Sequence, residues 1–221
     1  MYKPILAVAT LSLTALGSDR SAPQPYLQLK EEAMYIEYAA TTDQAVVIVE
    51  AESEEGLNRV EVQAPGGATV LRMQAGGGQL VSLSGFLVES RELDSSSLFA
   101  SFAAGVYELR AETRDGQAVV GSAVFDHLLP PAPAVVYPYE GAEDVPTNLV
   151  VTWVPDRAVK AYRIVLEQNE NDGLAVELPA GSNSFAVPDG ILAPGTESMV
   201  EVGAIGTNGN ITLVEISFTT W

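Results

Sequence analysis

The chain has 221 residues, with 29 acidic against 11 basic side chains, a formal net charge of −18 and no cysteine. The acid is spread along it: 16 Asp and Glu face 6 Lys and Arg over 23–131, and 12 face 3 over 132–221. Both halves therefore repel polyanions, which disfavours nucleic acid and anionic membrane surfaces as partners, and the lack of cysteine excludes a disulfide framework, a thiolate metal site and a cysteine nucleophile. The charge serves solubility, or an adaptation to salty surroundings or a cationic partner.

The N-terminus, "MYKPILAVATLSLTALGSDRSAP", places Lys3 before an apolar run over 5–16, with small residues at Ala15 and Gly17. That is the pattern of a secretory signal peptide over 1–22, cleaved after Gly17 or Ala22; the alternative is a structural strand. The run is too short to span a bilayer, which needs about 20 residues. Ser18 stands where a lipoprotein signal would carry its cysteine, so no lipid anchor is expected. No later segment is apolar for long enough to insert in a membrane. The mature chain is expected to be exported, to the periplasm or the outside.

Strand signals follow from residue 26 onward. "MYIEYAA" alternates Met34, Ile36 and Tyr38 on one face, "AVVIVEA" (45–51) is apolar enough for a central strand, and "NRVEVQA" points Val60 and Val62 inward. "PGG" at 65–67 turns the chain into "TVLRMQA", and "GGG" at 76–78 breaks it before "QLVSLSGFLVES". Asp94 is a good N-cap for a helix of about two turns over 95–102, whose Leu98, Phe99 and Phe102 share a face. Two alternating strands then flank Asp115-Gly116, a strong hairpin turn.

Residues 23–128 thus predict a β-sandwich-like domain with one short helix. Four prolines between His127 and Pro138 predict a semi-rigid interdomain linker over 129–138. Residues 139–221 predict a second sandwich, with strands near 149–154, 161–166, 175–178, 184–187, 199–206 and 212–219. Turns fall at Asn171-Asp172-Gly173, Pro188-Asp189-Gly190 and Asn208-Gly209-Asn210. The fold class expected is all-β, two sandwiches in tandem.

The second domain resembles a fibronectin type III domain. "NLVVTW" ends on Trp153, "AYRIVLE" carries Tyr162, "LAPGT" makes a corner at Leu192, "VEV" carries Val200 and Val202 into the next strand, and "ISFTTW" is the last. The resemblance implies that Trp153, Tyr162, Leu192, Val200 and Val202 are structural core. It departs at Ser198, where the family usually has a tyrosine that ties down the corner. The mature chain also resembles a group of exported bacterial two-domain β proteins without assigned activity. The shared residues are Phe102, Gly105, Tyr107, Thr113, Asp115, Gly116, Gly121, Ala123, His127 and Pro130.

Few residues offer chemistry. His127 is the single histidine; it follows Asp126, but neighbours in a strand point to opposite faces, so a structural place at the linker entrance, packed between the domains, is expected. No GxSxG and no GK[ST] occurs, so neither a nucleophile elbow nor a P-loop is expected. The acidic runs "EAESEEG" (50–56), "EGAED" (140–144) and "EQNENDG" (167–173) are weak candidates for Ca²⁺; in the last, Pro179 falls where an EF-hand glutamate should be. Tyr137 and Tyr139, flanking Pro138, are a possible contact patch.

These features favour a non-catalytic exported binding or spacer module without cofactor, for a protein or glycan partner. The alternatives are a carbohydrate-binding accessory protein and a secreted hydrolase using two carboxylates.

Overall fold

The computed structural model describes residues 27–76, 82–168 and 171–221; the signal-peptide reading of 1–22 and most of the glycine run lie outside them. The chain is nearly all β, with one helix among the described residues. In the first domain, β1 (Leu27–Gln28) and β2 (Lys30–Ala39) precede β3 (Gln44–Gln63). Then come β4 (Thr69–Gln74), β5 (Leu83–Glu89), β6 (Leu93–Asp94), α1 (Ser95–Ser101), β7 (Gly105–Thr113) and β8 (Ala118–Phe125).

The sequence reads 45–51 and 58–64 as two strands, but β3 runs through both as one strand of 20 residues. Its first half pairs with β2 and β5, and its second half with β4 and β7; the register slips between Glu52 and Leu57 in one ladder and between Leu57 and Arg59 in another. The slips let one strand serve both layers, because a bulge bends a strand and increases its twist. The run 50–56, read as an acidic loop, is therefore strand. Between the layers lies a core that includes Met34, Ile36, Val47, Val60, Val62, Tyr107 and Phe125, with Tyr38 packed partly buried against it.

Local signals explain the ends of the elements. The Asp94 carboxylate accepts from Ser97 N at 2.9 Å and caps α1, while Leu98 is its buried residue. Hydrogen bonds from Ser96 and Ser97 hold the Asp94 carboxyl at about 2. A depressed acid contributes stability above its ordinary range and loses it as pH falls through about 2, so this cap persists through mild acid. Gly116, at φ 79°, makes the turn between β7 and β8.

The second domain is a three-stranded sheet packed on a four-stranded one. β9 (Ala134–Tyr137), β11 (Val150–Val154) and β14 (Ser184–Ala186) form the first, in the order β14-β11-β9. β12 (Ala161–Gln168), β13 (Asn171–Pro179), β15 (Glu197–Ile205) and β16 (Ile211–Thr220) form the second, with β10 (Ala142–Val145) added parallel to β16. The two sheets form the second sandwich expected from the sequence, a fibronectin type III-like fold. Two strands lie where no strand is expected: β9 within the proline-rich segment and β10 within "EGAED".

Trp153, Tyr162, Leu192, Val200 and Val202 are all buried in the second core. Trp153 and Tyr162 lie with ring centroids 5.3 Å apart, and the Tyr162 hydroxyl accepts from Asp156 N at 2.7 Å. The corner without its tyrosine is tied otherwise. Gln168 accepts from Ala193 N at 2.8 Å and donates to Ala193 O at 3.1 Å and to Ser198 Oγ at 2.9 Å. Thr220 Oγ1 donates to Ala193 O at 2.6 Å.

Trp153→Ala should destabilise the second domain by about 3–5 kcal/mol, the usual cost of truncating a large core aromatic. Chemical denaturation followed by circular dichroism measures it. A loss below about 1 kcal/mol would show that the indole does not organise this core.

Candidate functional site

The most developed feature is the joint between the domains. β16 runs parallel to β2, with Ile211 opposite Glu37, Thr212 opposite Tyr38 and Leu213 opposite Ala39. The larger sheet of the second sandwich thereby continues hydrogen-bonded into the first domain, in the path β3-β2-β16-β15. Ala40 N donates to Leu213 O at 2.9 Å at one end of the pairing. At the other end a side chain replaces the backbone: Asn210 Oδ1 accepts from Ile36 N at 2.8 Å.

Asn210 is buried, and its amide is used on both sides. Nδ2 donates to the carbonyls of Asp126 and Leu128, each at 3.0 Å. Asn208 Nδ2 donates to Asp126 Oδ1 at 2.6 Å and to Leu128 O at 2.9 Å. The Asn208-Gly209-Asn210 turn therefore grips both β2 and the chain leaving β8. Gly209, at φ 90°, lets the turn close. From the sequence this turn reads only as a connection between strands.

One face of the continuous sheet is acidic. Residues opposite each other in register share a face, which aligns Glu37 with Val46, Tyr35 with Ile48 and Glu89, and Glu201 with Glu215 and Val165. Arg163 Nη1 donates to Glu37 Oε1 at 2.6 Å across the joint, with both side chains mostly buried. Burial alone would lower the Arg163 pKa, but Glu37, Glu201 and Tyr35 outweigh it and raise it. Burial, Glu37 and Glu50 raise the Tyr35 phenol, while Arg163 pulls the other way.

Beside this pair is a cleft of about 300 Å³, lined by Glu37, Glu89, Glu92 and Glu215 over Ala39, Val46 and Leu213. Desolvation, then Glu37 and Glu92, pushes the Glu89 carboxyl up. Desolvation, then Glu31, Glu37 and Glu52, does the same to Glu50.

The residues singled out from sequence lie elsewhere. His127 packs on α1 rather than between the domains: its ring stacks on Phe99 at 4.5 Å and meets Phe125 edge-on at 5.6 Å. Nε2 lies 2.7 Å from Phe102 O; a carbonyl only accepts, so Nε2 carries the proton and donates. The Asp126 carboxylate turns away, accepting from Leu128 N and Asn208. Tyr137 packs partly buried on the second core and Tyr139 is 63% exposed, so one ring of the pair is free to make contacts. Glu140, in the second acidic run, accepts from Ser217 N at 2.9 Å. The third run falls partly outside the described residues, and among those described no three His, Cys, Asp or Glu gather as a metal site. No described helix is long and apolar enough to cross a membrane.

No protein-family model and no curated protein matches the chain. Among solved structures, a two-domain fibronectin type III segment of chicken tenascin aligns at a TM-score of 0.31 and 13% identity, over 87% of this chain and 99% of that one. The fibronectin(III)-like modules of Clostridium thermocellum CbhA align at 0.33 and 11%, over 90% and 91%. A tetra-tandem repeat from the extending region of a large adhesion protein aligns at 0.30 and 17%, over 86% and 49%. Scores of this size leave the geometry of this chain to carry its own interpretation.

Two substitutions probe these assignments. Arg163→Met strands Glu37 and Glu201 without their cation and should cost on the order of 3 kcal/mol, whereas Arg163→Met with Glu37→Leu should recover much of that loss; denaturant midpoints of the two variants decide it. His127→Gln removes the stacked ring and should lower stability by about 1–2 kcal/mol without altering the joint, read as unchanged amide shifts in 208–213.

Proposed function

We propose that the protein is a non-catalytic, exported binding or spacer module, and that its working property is a fixed angle between two sandwiches. The observation that carries this reading is the buried Asn210 side chain, which bonds Ile36 N and the carbonyls of Asp126 and Leu128 at once. A flexible tether has no use for such a residue, because each of its buried bonds constrains the relative position of the domains. Parallel pairing of β2 with β16 supports the same reading, as does the commitment of His127 to packing on Phe99. The partner is a protein or a glycan at a cell surface, and Tyr139 is the aromatic side chain placed to meet it.

In solution the two domains should tumble as one body and unfold in one cooperative transition. Asn210→Ala leaves buried donors and acceptors unsatisfied, at about 1–3 kcal/mol for each group, and should separate the transition into two. NMR relaxation and calorimetry on the full chain read both effects. Independent tumbling of the native domains would reject the rigid-module reading.

A further inference from the structure

The cleft at the joint has two kinds of lining. Val46 on β3 and Leu213 on β16 give it an aliphatic floor, one buried side chain from each domain. Glutamates form the rest, and they differ in what they hold. Glu37 is paired with Arg163, and Glu215 accepts from the Thr41 hydroxyl at 3.0 Å. The carboxylates of Glu89, at the end of β5, and Glu92, just before β6, have no ion-pair partner among the described residues. Glu89 instead meets like charge: desolvation, then Glu37 and Glu92, pushes its carboxyl up.

We propose that this cleft receives a basic side chain, lysine or arginine, projecting from a partner protein, its aliphatic stem over Val46 and Leu213 and its cation at Glu89 and Glu92. Lysine and arginine bury their methylenes on apolar surface and keep the charged head at the edge. The cleft offers both surfaces within about 300 Å³. Arg163 shows the same chemistry inside the chain, since its guanidinium bonds Glu37, another acid of this cleft. A basic side chain from outside does for Glu89 and Glu92 what Arg163 does for Glu37: it makes charge-assisted bonds and offsets the repulsion between them. A neutral ligand covers the same floor but desolvates two carboxylates without a countercharge. The net charge of −18 attracts cations to the whole surface, and the aliphatic floor distinguishes this place from the rest. Because the floor comes from both domains, the site is complete only while the joint is closed. This partner rests on the binding-module reading above and narrows it from a protein or glycan to a protein with an exposed basic residue.

Titration of the full chain with Nα-acetyl-lysine methylamide at neutral pH, followed by NMR, tests it. The amides of Val46 and Leu213 should shift and saturate with a dissociation constant on the order of 1–10 mM, and the arginine analogue should act on the same amides. The norleucine analogue, which keeps the stem and lacks the charge, should bind about fivefold or more weakly. Glu89→Gln with Glu92→Gln should weaken the lysine probe by about the same factor, with the amides of Ile36 and Ala40 unmoved as a check that the joint is intact. Glu108→Gln with Glu112→Gln, at exposed positions of β7, makes the same change in net charge and should leave binding as it is. Shifts spread evenly over the acidic strands would mean general attraction to the charge and would overturn the proposal. So would a norleucine probe that binds as well as lysine, or native affinity in the Glu89 and Glu92 variant. Absence of saturable binding in a chain whose domains tumble as one body rejects the basic-residue site and leaves the rigid module standing; independent tumbling rejects the module itself.

Discussion

The architecture depends on one polar constraint, the satisfaction of Ile36 N at the place where two domains share a sheet. β16 ends its pairing with β2 at Ile211, one step short of covering that donor. A buried amide without an acceptor costs about 1–3 kcal/mol. Asn210 supplies the missing acceptor from its side chain and spends its donors on two carbonyls of the departing chain. An aspartate would offer the acceptor without those donors, and an alanine would offer neither. The residue thus fixes the register of the joint as well as its existence.

Apolar packing around this latch belongs to neither core. Val46, Ile48, Val165, Ile211 and Leu213 are all buried, yet none is part of the cluster inside the first sandwich or the second. By register they stand on the sheet face opposite the cores, and Val46 and Leu213 line the same cleft. At about 1.5–3 kcal/mol per fully buried aliphatic side chain, such a set is comparable to a small core. It is reduced by the ordering of the side chains and by the buried charge beside it. The Arg163–Glu37 pair is a poor source of net stability, because desolvation of two ions offsets most of their attraction. Its contribution is selectivity: a slipped joint takes from the buried guanidinium the carboxylate it is bonded to.

Elements whose signal is local were legible in the sequence. Asp94 announces α1 because a side-chain acceptor is needed there, and Asp115-Gly116 announces a hairpin because the turn needs positive φ. Trp153 and Tyr162 could be placed in a core because their strands resemble those of a fibronectin type III domain. What escaped depends on the partner. Asn208-Gly209-Asn210 reads as an ordinary turn, since nothing local says that its amide reaches residues 36, 126 and 128. The 20-residue β3 reads as two strands, because its charged middle, Glu52 to Glu55, looks like a loop until its pairing with β5 is known. Gln168 does the work expected of a tyrosine at the corner from a different strand, and no spacing rule links 168 to 193.

The acidic character of the chain has a different meaning at the joint from elsewhere. On exposed strands a carboxylate is solvated and costs little, so a net charge of −18 can be carried as a solubility device. Within a cleft of about 300 Å³ Glu89 is partly desolvated and meets the charge of Glu37 and Glu92, where charges are screened less than in bulk water. If solubility were their only use, these glutamates could sit on any outward strand position. Placed here, Glu37 pairs with Arg163 across the joint and Glu215 accepts from the Thr41 hydroxyl. At the joint, then, two of these acids serve as acceptors that tie one domain to the other, and they help to set its register as well as the charge of the chain.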